Sequence, residues 1–326
     1  MLLAAAGLAS PTFCNRKVAA IMLTSDINAA QRLHTDILMR HTLPVLGLIL
    51  VTGPLAATSA LADTFRFTAI PDEDESRLVE RFSKVADYLE GELGVDVEYV
   101  PVKSYGAAVT AFRNDQVQLA WFGGLSGVQA RRLVPGSEAL AQGAEDAEFT
   151  SYFIANQSTG LEPGEELPDA AEDMTFTFGA KTSTSGRLMP EHYLRQRFDE
   201  APEGTFSRVG FSGDHSRTIA LVEAGTYDIG AVNFSVWDAA VEEGRVDTDK
   251  VQVIWTTPSY PDYQWTLRGD ADERFGDGFT DQVRQALLEM TDPDLLESFP
   301  RSGFIPADNS MYAPIEEVAE NLGLIR

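Results

Sequence analysis

The stretch TFTFGAKTSTSGRLMPEHYL, residues 175–194, joins an alternating apolar segment to a polar run and then to a helical segment. TFTFGA (175–180) predicts a strand, and a helix is expected at about 187–199. Four consecutive hydroxyl residues, 182–185, lie between them. The first N–H groups of a helix have no internal partner, and the helix dipole makes that end positive. Hydroxyls there can cap the helix or, with the free amides, hold an anion. One cap needs one hydroxyl, so four favour an anion site.

The same alternation of strands and helices extends on both sides of this stretch. One β/α series runs from residue 64 to about 133, and a second runs from 175 to 244. Longer strands near 149–157 and 250–268 connect the two series. This rhythm predicts an α/β protein with mostly parallel sheets, two lobes and a hinged cleft between them. The predicted lobes are 63–152 plus 264–326 (lobe 1) and 153–263 (lobe 2).

The N-terminal region has the three parts of a secretory signal, although they begin only at residue 39. Met39-Arg40-His41 is a basic start, residues 43–55 are mostly apolar, and Ala60-Leu61-Ala62 has the form that signal peptidase cuts after. We therefore expect a signal peptide at 39–62, cleavage after Ala62 and a periplasmic location. An uncleaved membrane anchor is the alternative. Residues 1–38 are interpreted as a spurious upstream extension of the chain.

Composition excludes several classes of site and partner. The single cysteine, Cys14, precedes the predicted cleavage point, so the mature chain can form no disulfide and no cysteine-based metal site. The formal net charge is −25, and the residues after Ala62 contain 21 basic and 48 acidic side chains. Such a surface repels nucleic acid and anionic lipid. A soluble monomer without nucleic-acid or membrane partners is expected.

A second candidate turn and several polar residues could complete an anion site. WFGGLSGVQ, residues 121–129, repeats the order strand, turn and helix, with glycines that allow close approach of a ligand. The alternative for this segment is an ordinary tight turn. His215 could donate to an anion or simply cap its helix, and Tyr105 could offer its hydroxyl or simply pack in the core. Asn233 follows a predicted buried strand, and Tyr260 lies near the return crossing. The candidate ligand-binding residues are Tyr105, Gly124, Leu125, Ser126, Ser183, Thr184, Ser185, His215, Asn233 and Tyr260.

Five segments together resemble one protein family. They are AIPDEDESRLVERFSKVADYLEGELGVDVEYVPV, LAWFGGLSGVQA, TSTSGRLMP, GDHSRTIALVEAGTYDIGAVNFSVWD and TTPSYPDYQWTLRGD. The chain resembles the periplasmic substrate-binding proteins of ABC importers for phosphate, phosphite and phosphonate, and is most similar to the branch named for selenate binding. The resemblance implies the type II-like periplasmic binding protein fold and an oxyanion ligand. It also implies a permease and an ATPase as partners, and no catalysis, cofactor or metal. The Ser-Thr-Ser motif of the family maps onto residues 183–185, its cleft histidine onto His215 and its first-lobe tyrosine onto Tyr105.

One departure from the family pattern bears on the ligand. Phosphonate-type relatives carry an acidic residue where this chain has Asn233. A carboxylate can accept a hydrogen bond from a protonated oxyanion, whereas the asparagine NH2 donates. Selenate and sulfate carry no proton at neutral pH. The departure therefore predicts selenate or a similar dianion, with phosphonate, phosphite and phosphate as alternatives.

Other function classes remain to be compared with this interpretation. A serine hydrolase is disfavoured, because Ser126 in GGLSGV lacks the Gly-x-Ser-x-Gly spacing and the neighbours Asp214 and His215 cannot form a triad. No His-x-x-x-His pattern suggests zinc. An exported sensor that presents its oxyanion to a histidine-kinase ectodomain is the second candidate, which the sequence does not separate from transport.

Overall fold

Two β-sheets covered by helices organise residues 63–299 and 301–325, which the computed structural model describes apart from the side chains of residues 297 and 298. The predicted signal peptide and the residues before it lie outside this part. The strands are β1 Phe65–Ala69, β2 Val97–Tyr99, β3 Leu119–Phe122, β4 Glu138–Gly143, β5 Ser151–Asn156, β6 Thr175–Phe178, β7 Arg208–Phe211, β8 Ile229–Asn233, β9 Val251–Thr256, β10 Gln264–Leu267 and β11 Phe304–Pro306. The helices are α1 Glu75–Leu93, α2 Tyr105–Arg113, α3 Gly124–Leu133, α4 Met189–Phe198, α5 Pro202–Thr205, α6 His215–Glu223, α7 Phe234–Glu242, α8 Ala271–Phe275, α9 Phe279–Leu288, α10 Pro293–Ser298 and α11 Ala313–Asn321.

The two sheets are built from different parts of the chain. The first has the order β11-β4-β10-β3-β1-β2, and the second has the order β7-β6-β8-β5-β9. All strands from β5 to β9 belong to the second sheet, so the chain crosses between sheets at 144–150 and 257–263. The first crossing therefore precedes the predicted boundary between residues 152 and 153. Below, lobe 1 and lobe 2 denote the parts built on the first and second sheets.

Both sheets are mixed, whereas the sequence predicted mostly parallel ones. β1 pairs in parallel with β2 and β3, and β6 pairs in parallel with β7 and β8. The strands next to the crossings run the other way: β10 is antiparallel to β3 and β4, and β5 is antiparallel to β8 and β9. Because these strands carry the chain between sheets, they do not follow the β-α-β rhythm that makes neighbours parallel.

Helix α1 shows how the pattern of apolar residues becomes a packed layer. Leu78, Phe82, Val85 and Leu89 recur at helical spacing and are all buried. Gly94 ends the helix in the left-handed conformation, with φ of 65°. The Phe82 ring lies against aromatic rings from strands, a C-terminal segment and the sheet interior, namely Phe67, Tyr99, Trp265 and Phe299.

The fold brings the carboxyl ends of its parallel strands toward the junction between the lobes. β1 and β3 end there in lobe 1, and β6 and β8 end there in lobe 2, each followed by a polar turn and a helix. Among the described helices, none combines the length and apolar character needed to cross a membrane.

Candidate functional site

The hydroxyl run of lobe 2 forms a buried, widened first helical turn. Ser183 caps it, because its Oγ accepts the Gly186 N–H at 2.9 Å. Residues Thr184–Leu188 then form a π-helical turn that leads into α4, so the helix begins earlier than predicted. Capping thus explains Ser183, whereas Thr184 and Ser185 are 1% exposed and face the junction rather than capping this helix.

The glycine turn of lobe 1 meets this run directly. The Leu125 N–H at the start of α3 donates to Thr184 Oγ1 at 3.0 Å, which joins the two lobes. The Gly124 N–H donates to Asp262 Oδ1 at 2.9 Å, and Ser126 Oγ bonds within the turn to the Gly123 carbonyl oxygen at 3.1 Å. A Cβ on Gly123 would lie 3.0 Å from Asp262 Oδ1 and 3.3 Å from Thr184 Oγ1, so a larger residue would push these side chains away and glycine favours the close approach.

His215, the first residue of α6, is a neutral donor. Its Nδ1 accepts the Asn233 N–H at 3.3 Å, which places the ring proton on Nε2. Burial lowers the pKa of His215 to about 4, so the ring is uncharged at neutral pH. Nε2 is buried and has no hydrogen-bond partner among the described residues. The main-chain N–H of His215 donates to the Asp72 carbonyl oxygen of lobe 1 at 3.0 Å.

Tyr105 supplies a second neutral donor from lobe 1. It is the first residue of α2, is 2% exposed, and its hydroxyl has no hydrogen-bond partner of normal geometry among the described residues. Burial raises the pKa of Tyr105 well above its ordinary value, so the phenol stays protonated. Ser183 lies beside it and opposes part of this rise.

The side chains of the two remaining predicted residues, Asn233 and Tyr260, are hydrogen-bonded to other residues of the protein. Asn233 caps α7, because its Oδ1 accepts the Val236 N–H at 2.7 Å while its Nδ2 donates to the Tyr263 hydroxyl at 2.9 Å. Tyr260 shares a hydrogen bond with Ser151, whose hydroxyl donates to the Ser185 carbonyl oxygen at 2.7 Å. Asn233 therefore links the lobes, and Tyr260 supports the hydroxyl run from behind.

Two buried carboxyls were missed by the sequence argument. Asp262 is 1% exposed, and burial raises its pKa to about 7 against the opposing effects of the Gly124 N–H and the Thr184 hydroxyl. Asp72 is 5% exposed, and burial together with Glu73 raises its pKa to about 6. One oxygen of each, Asp262 Oδ2 and Asp72 Oδ1, has no hydrogen-bond partner among the described residues. An available signal was the position of Asp262 between two tyrosines in SYPDYQW, unlike the acids of the helix surfaces.

The cluster combines groups of opposite hydrogen-bonding character. Tyr105, His215 and the hydroxyls at 183–185 can donate, whereas Asp72 and Asp262 accept when ionised. This arrangement suits a small ligand that accepts several hydrogen bonds and also carries a proton to donate. Within the described residues, no group of three or more His, Cys, Asp or Glu side chains has the arrangement of a metal site.

Comparison with known proteins gives a consistent result. The family model described as ABC transporter, phosphonate, periplasmic substrate-binding protein matches residues 67–312. The chain belongs to this family. It is 40% identical over 265 residues to the probable ABC transporter phosphite-binding protein of Prochlorococcus marinus (strain MIT 9301), covering 79% of this chain and 89% of that one. It is 23% identical over 256 residues to a phosphate-import protein of Mycolicibacterium smegmatis (strain ATCC 700084 / mc(2)155), covering 76% and 77% of the two chains.

A solved structure supports the same assignment. The P. marinus (MIT 9301) protein in complex with methylphosphonate has a TM-score of 0.77 and 38% identity, and the match covers 80% of this chain and 99% of that one. The predicted α/β periplasmic binding protein fold is therefore confirmed, with mixed instead of mostly parallel sheets, as is the prediction that the chain is a binding protein of a transport system and not an enzyme. None of these relatives is named for selenate. The roles of the individual site residues stay predictions.

Proposed function

We propose that this protein is the periplasmic solute-binding component of an ABC importer for a small tetrahedral phosphorus oxyanion such as phosphite or methylphosphonate. The ligand would bind between the lobes, and the protein, acting as a monomer, would deliver it to a permease with its ATPase. A relative named for phosphite, whose solved structure holds methylphosphonate, and a second relative named for phosphate support this ligand class. They are named as transport proteins, so the sensor alternative gains no support.

The Asp262 carboxyl is the group that favours a phosphorus oxyanion over selenate in this proposal. Its Oδ1 is held by the Gly124 N–H at the positive end of α3, and its Oδ2 is buried without a hydrogen-bond partner among the described residues. With a pKa of about 7, the carboxyl can accept the O–H of a singly protonated oxyanion or share its own proton with a deprotonated one. In either case one proton lies between ligand and carboxyl.

The same geometry disfavours selenate and sulfate. These dianions bring no proton, so they depend on Asp262 being protonated itself, and the ionised form of the carboxyl opposes their oxygens inside the closed cluster. The argument for selenate assumed that Asn233 removes the acid from the site. However, the Asn233 amide is engaged with Val236 and Tyr263, and two carboxyls lie elsewhere in the cluster. We therefore place the phosphorus oxyanions ahead of selenate.

A ligand panel tests this proposal. The purified protein, freed of ligand by unfolding and refolding, is titrated calorimetrically at pH 7 with methylphosphonate, phosphite, phosphate, sulfate and selenate. We expect the phosphorus oxyanions to bind more tightly than sulfate or selenate, because they can bring the shared proton themselves, whereas sulfate and selenate require that Asp262 is already protonated. Asp262→Asn should reduce this ratio, because the amide can donate a hydrogen bond to a proton-free dianion. Asp249→Asn, an exposed acid of lobe 2, is the matched control. Tighter selenate binding, or an unchanged ratio in Asp262→Asn, would refute the proposal.

A further inference from the structure

Asp72 is a second buried carboxyl that the proposed role of Asp262 leaves unexplained. It lies in the turn between β1 and α1, and its Oδ1 is buried with no hydrogen-bond partner among the described residues. Its carbonyl oxygen accepts the His215 N–H of lobe 2 at 3.0 Å. Asp72 therefore lies against lobe 2 through its main chain, at the place where the lobes meet, and separation of the lobes would remove this contact.

The neighbouring acid, Glu73, is compensated in a way that Asp72 is not. Glu73 Oε1 accepts a hydrogen bond from Arg81 at 2.8 Å, and its Oε2 lies 3.4 Å from Arg77 Nε. Asp72 instead interacts with the Tyr263 hydroxyl, which itself accepts from Asn233 Nδ2 at 2.9 Å. Asp72 is thus tied to lobe 2 through its carbonyl and through Tyr263.

The surroundings of Asp72 determine the sign of its response to pH. The titratable and charged groups that act on it or respond to its charge come from its own turn, α1, β2, α2 and the segments before β10 and β11, and are Glu73, Arg81, Tyr99, Tyr105, Tyr263 and Arg301. From lobe 2, α6 brings His215 against its main chain, and this ring is uncharged above a pKa of about 4. Burial is the largest influence and Glu73 adds to it, while Arg81, Tyr263 and Arg301 oppose it; the pKa rises from 3.8 to about 6. The closed form consequently holds a proton in a range where a solvated aspartate has lost it.

We propose that Asp72 is a specificity-determining residue that takes a proton from solvent when the lobes close on the anion, so that ligand binding is coupled to proton uptake. This inference rests on the proposed function, because it needs an anion in the same cluster. Closure moves Asp72 from water into the junction, and the anion adds like charge to it. Both effects favour the neutral carboxyl. An unprotonated Asp72 opposes closure, so affinity falls as the pH rises.

Calorimetry with methylphosphonate in buffers of different ionisation enthalpy measures the protons taken up on binding. Wild type, Asp72→Asn, Asp262→Asn and the Asp249→Asn control are compared between pH 5 and 8. With a pKa shift from 3.8 to about 6, wild type should take up nearly one proton more than Asp72→Asn near pH 5 and about half a proton more at pH 6. Between pH 5 and 7 the affinity of wild type should fall about tenfold more than that of Asp72→Asn.

The variants separate this inference from the proposed function. Asp72→Ala removes the carboxyl without introducing a donor and should lose the same proton, and thermal melting verifies that each variant folds. If both Asp72 variants take up as many protons as wild type while Asp262→Asn alters ligand preference, the inference is overturned and the proposed function stands. If wild type binds no methylphosphonate, phosphite or phosphate, both are overturned.

Discussion

The Ser235 hydroxyl lies outside the hydroxyl run 182–185, and its removal tests whether contacts formed when the two lobes close contribute to the affinity for the ligand. Ser235 in α7 of lobe 2 accepts a hydrogen bond from Arg301 Nη1 of lobe 1 at 2.9 Å. Arg301 is also held by Asp146 through two hydrogen bonds of 2.9 and 2.8 Å and by the Phe299 carbonyl oxygen at 3.0 Å. These bonds join Arg301 to lobe 1 and to the first crossing, so the guanidinium stays in place when the lobes separate, and of the four bonds named here the one to Ser235 depends on closure.

The size of the effect follows from burial and charge. Ser235 is 6% exposed and Arg301 is 8% exposed, so Ser235→Ala leaves one N–H of a buried cation without this acceptor. Loss of a hydrogen bond to a charged group costs about 1.5–3 kcal/mol, which corresponds to about 10- to 150-fold weaker binding. Alanine favours a helix and the Asn233 cap remains, so α7 itself should not be weakened.

Calorimetric titration with methylphosphonate measures the effect, and thermal melting of the ligand-free protein gives its stability. Ser207→Ala is the matched control, because the Ser207 hydroxyl bonds to the Met174 carbonyl oxygen within lobe 2. We expect Ser235→Ala to weaken binding at least tenfold while both variants melt within a few degrees of wild type. Equal affinities for Ser235→Ala and Ser207→Ala would refute the reasoning that closure contacts contribute to affinity.

Two further predictions concern other parts of the junction. Arg77 and Glu243 form two hydrogen bonds of 2.9 and 2.8 Å between the lobes but are 35% and 40% exposed, so the pair should contribute at most about 1 kcal/mol. A double-mutant cycle with Arg77→Gln and Glu243→Gln should therefore give a coupling of about fivefold or less in affinity that fades in high salt, and a salt-independent coupling would contradict this. His215→Phe should weaken methylphosphonate binding about 10- to 150-fold. Because the pKa of His215 is about 4, the affinity of His215→Phe relative to that of wild type should stay constant from pH 5.5 to 8. An inflection of this ratio near pH 6.5 would contradict the conclusion that His215 donates as an uncharged imidazole.

Local patterns in the sequence were sufficient to predict much of the fold and part of the candidate site. The spacing of Leu78, Phe82, Val85 and Leu89 is a property of one helix, so this part of the fold follows from a local pattern. The hydroxyl run could be placed before a helix for the same reason, although nothing in the local pattern predicts its widened turn, 184–188, or the hydrogen bond of Thr184 with the other lobe. The direction of β5 and β10 could not be predicted, because it depends on how the chain crosses between sheets.

The acidic residues of the candidate site show why the identity of the ligand could not be predicted from the single position 233. Sequence reasoning compared only Asn233 with an acidic counterpart, whereas Asp72 and Asp262 approach the cluster from distant parts of the chain. Their pKa values depend on burial between the lobes, which no local pattern encodes. Among 50 acidic residues, nothing in composition distinguishes these two.

The proposed anion site is electrostatically compatible with so acidic a protein, because its donors would act through hydrogen bonds at short range. Surface charges are screened within roughly 8–10 Å by physiological salt. The neutral donors Tyr105 and His215 are buried and retain their protons at neutral pH, so they cost no charge repulsion. Under the proposed function, the carboxyls of Asp72 and Asp262 would determine how many protons must accompany the anion. Selectivity in this junction would then depend on the proton content of the ligand more than on its charge alone.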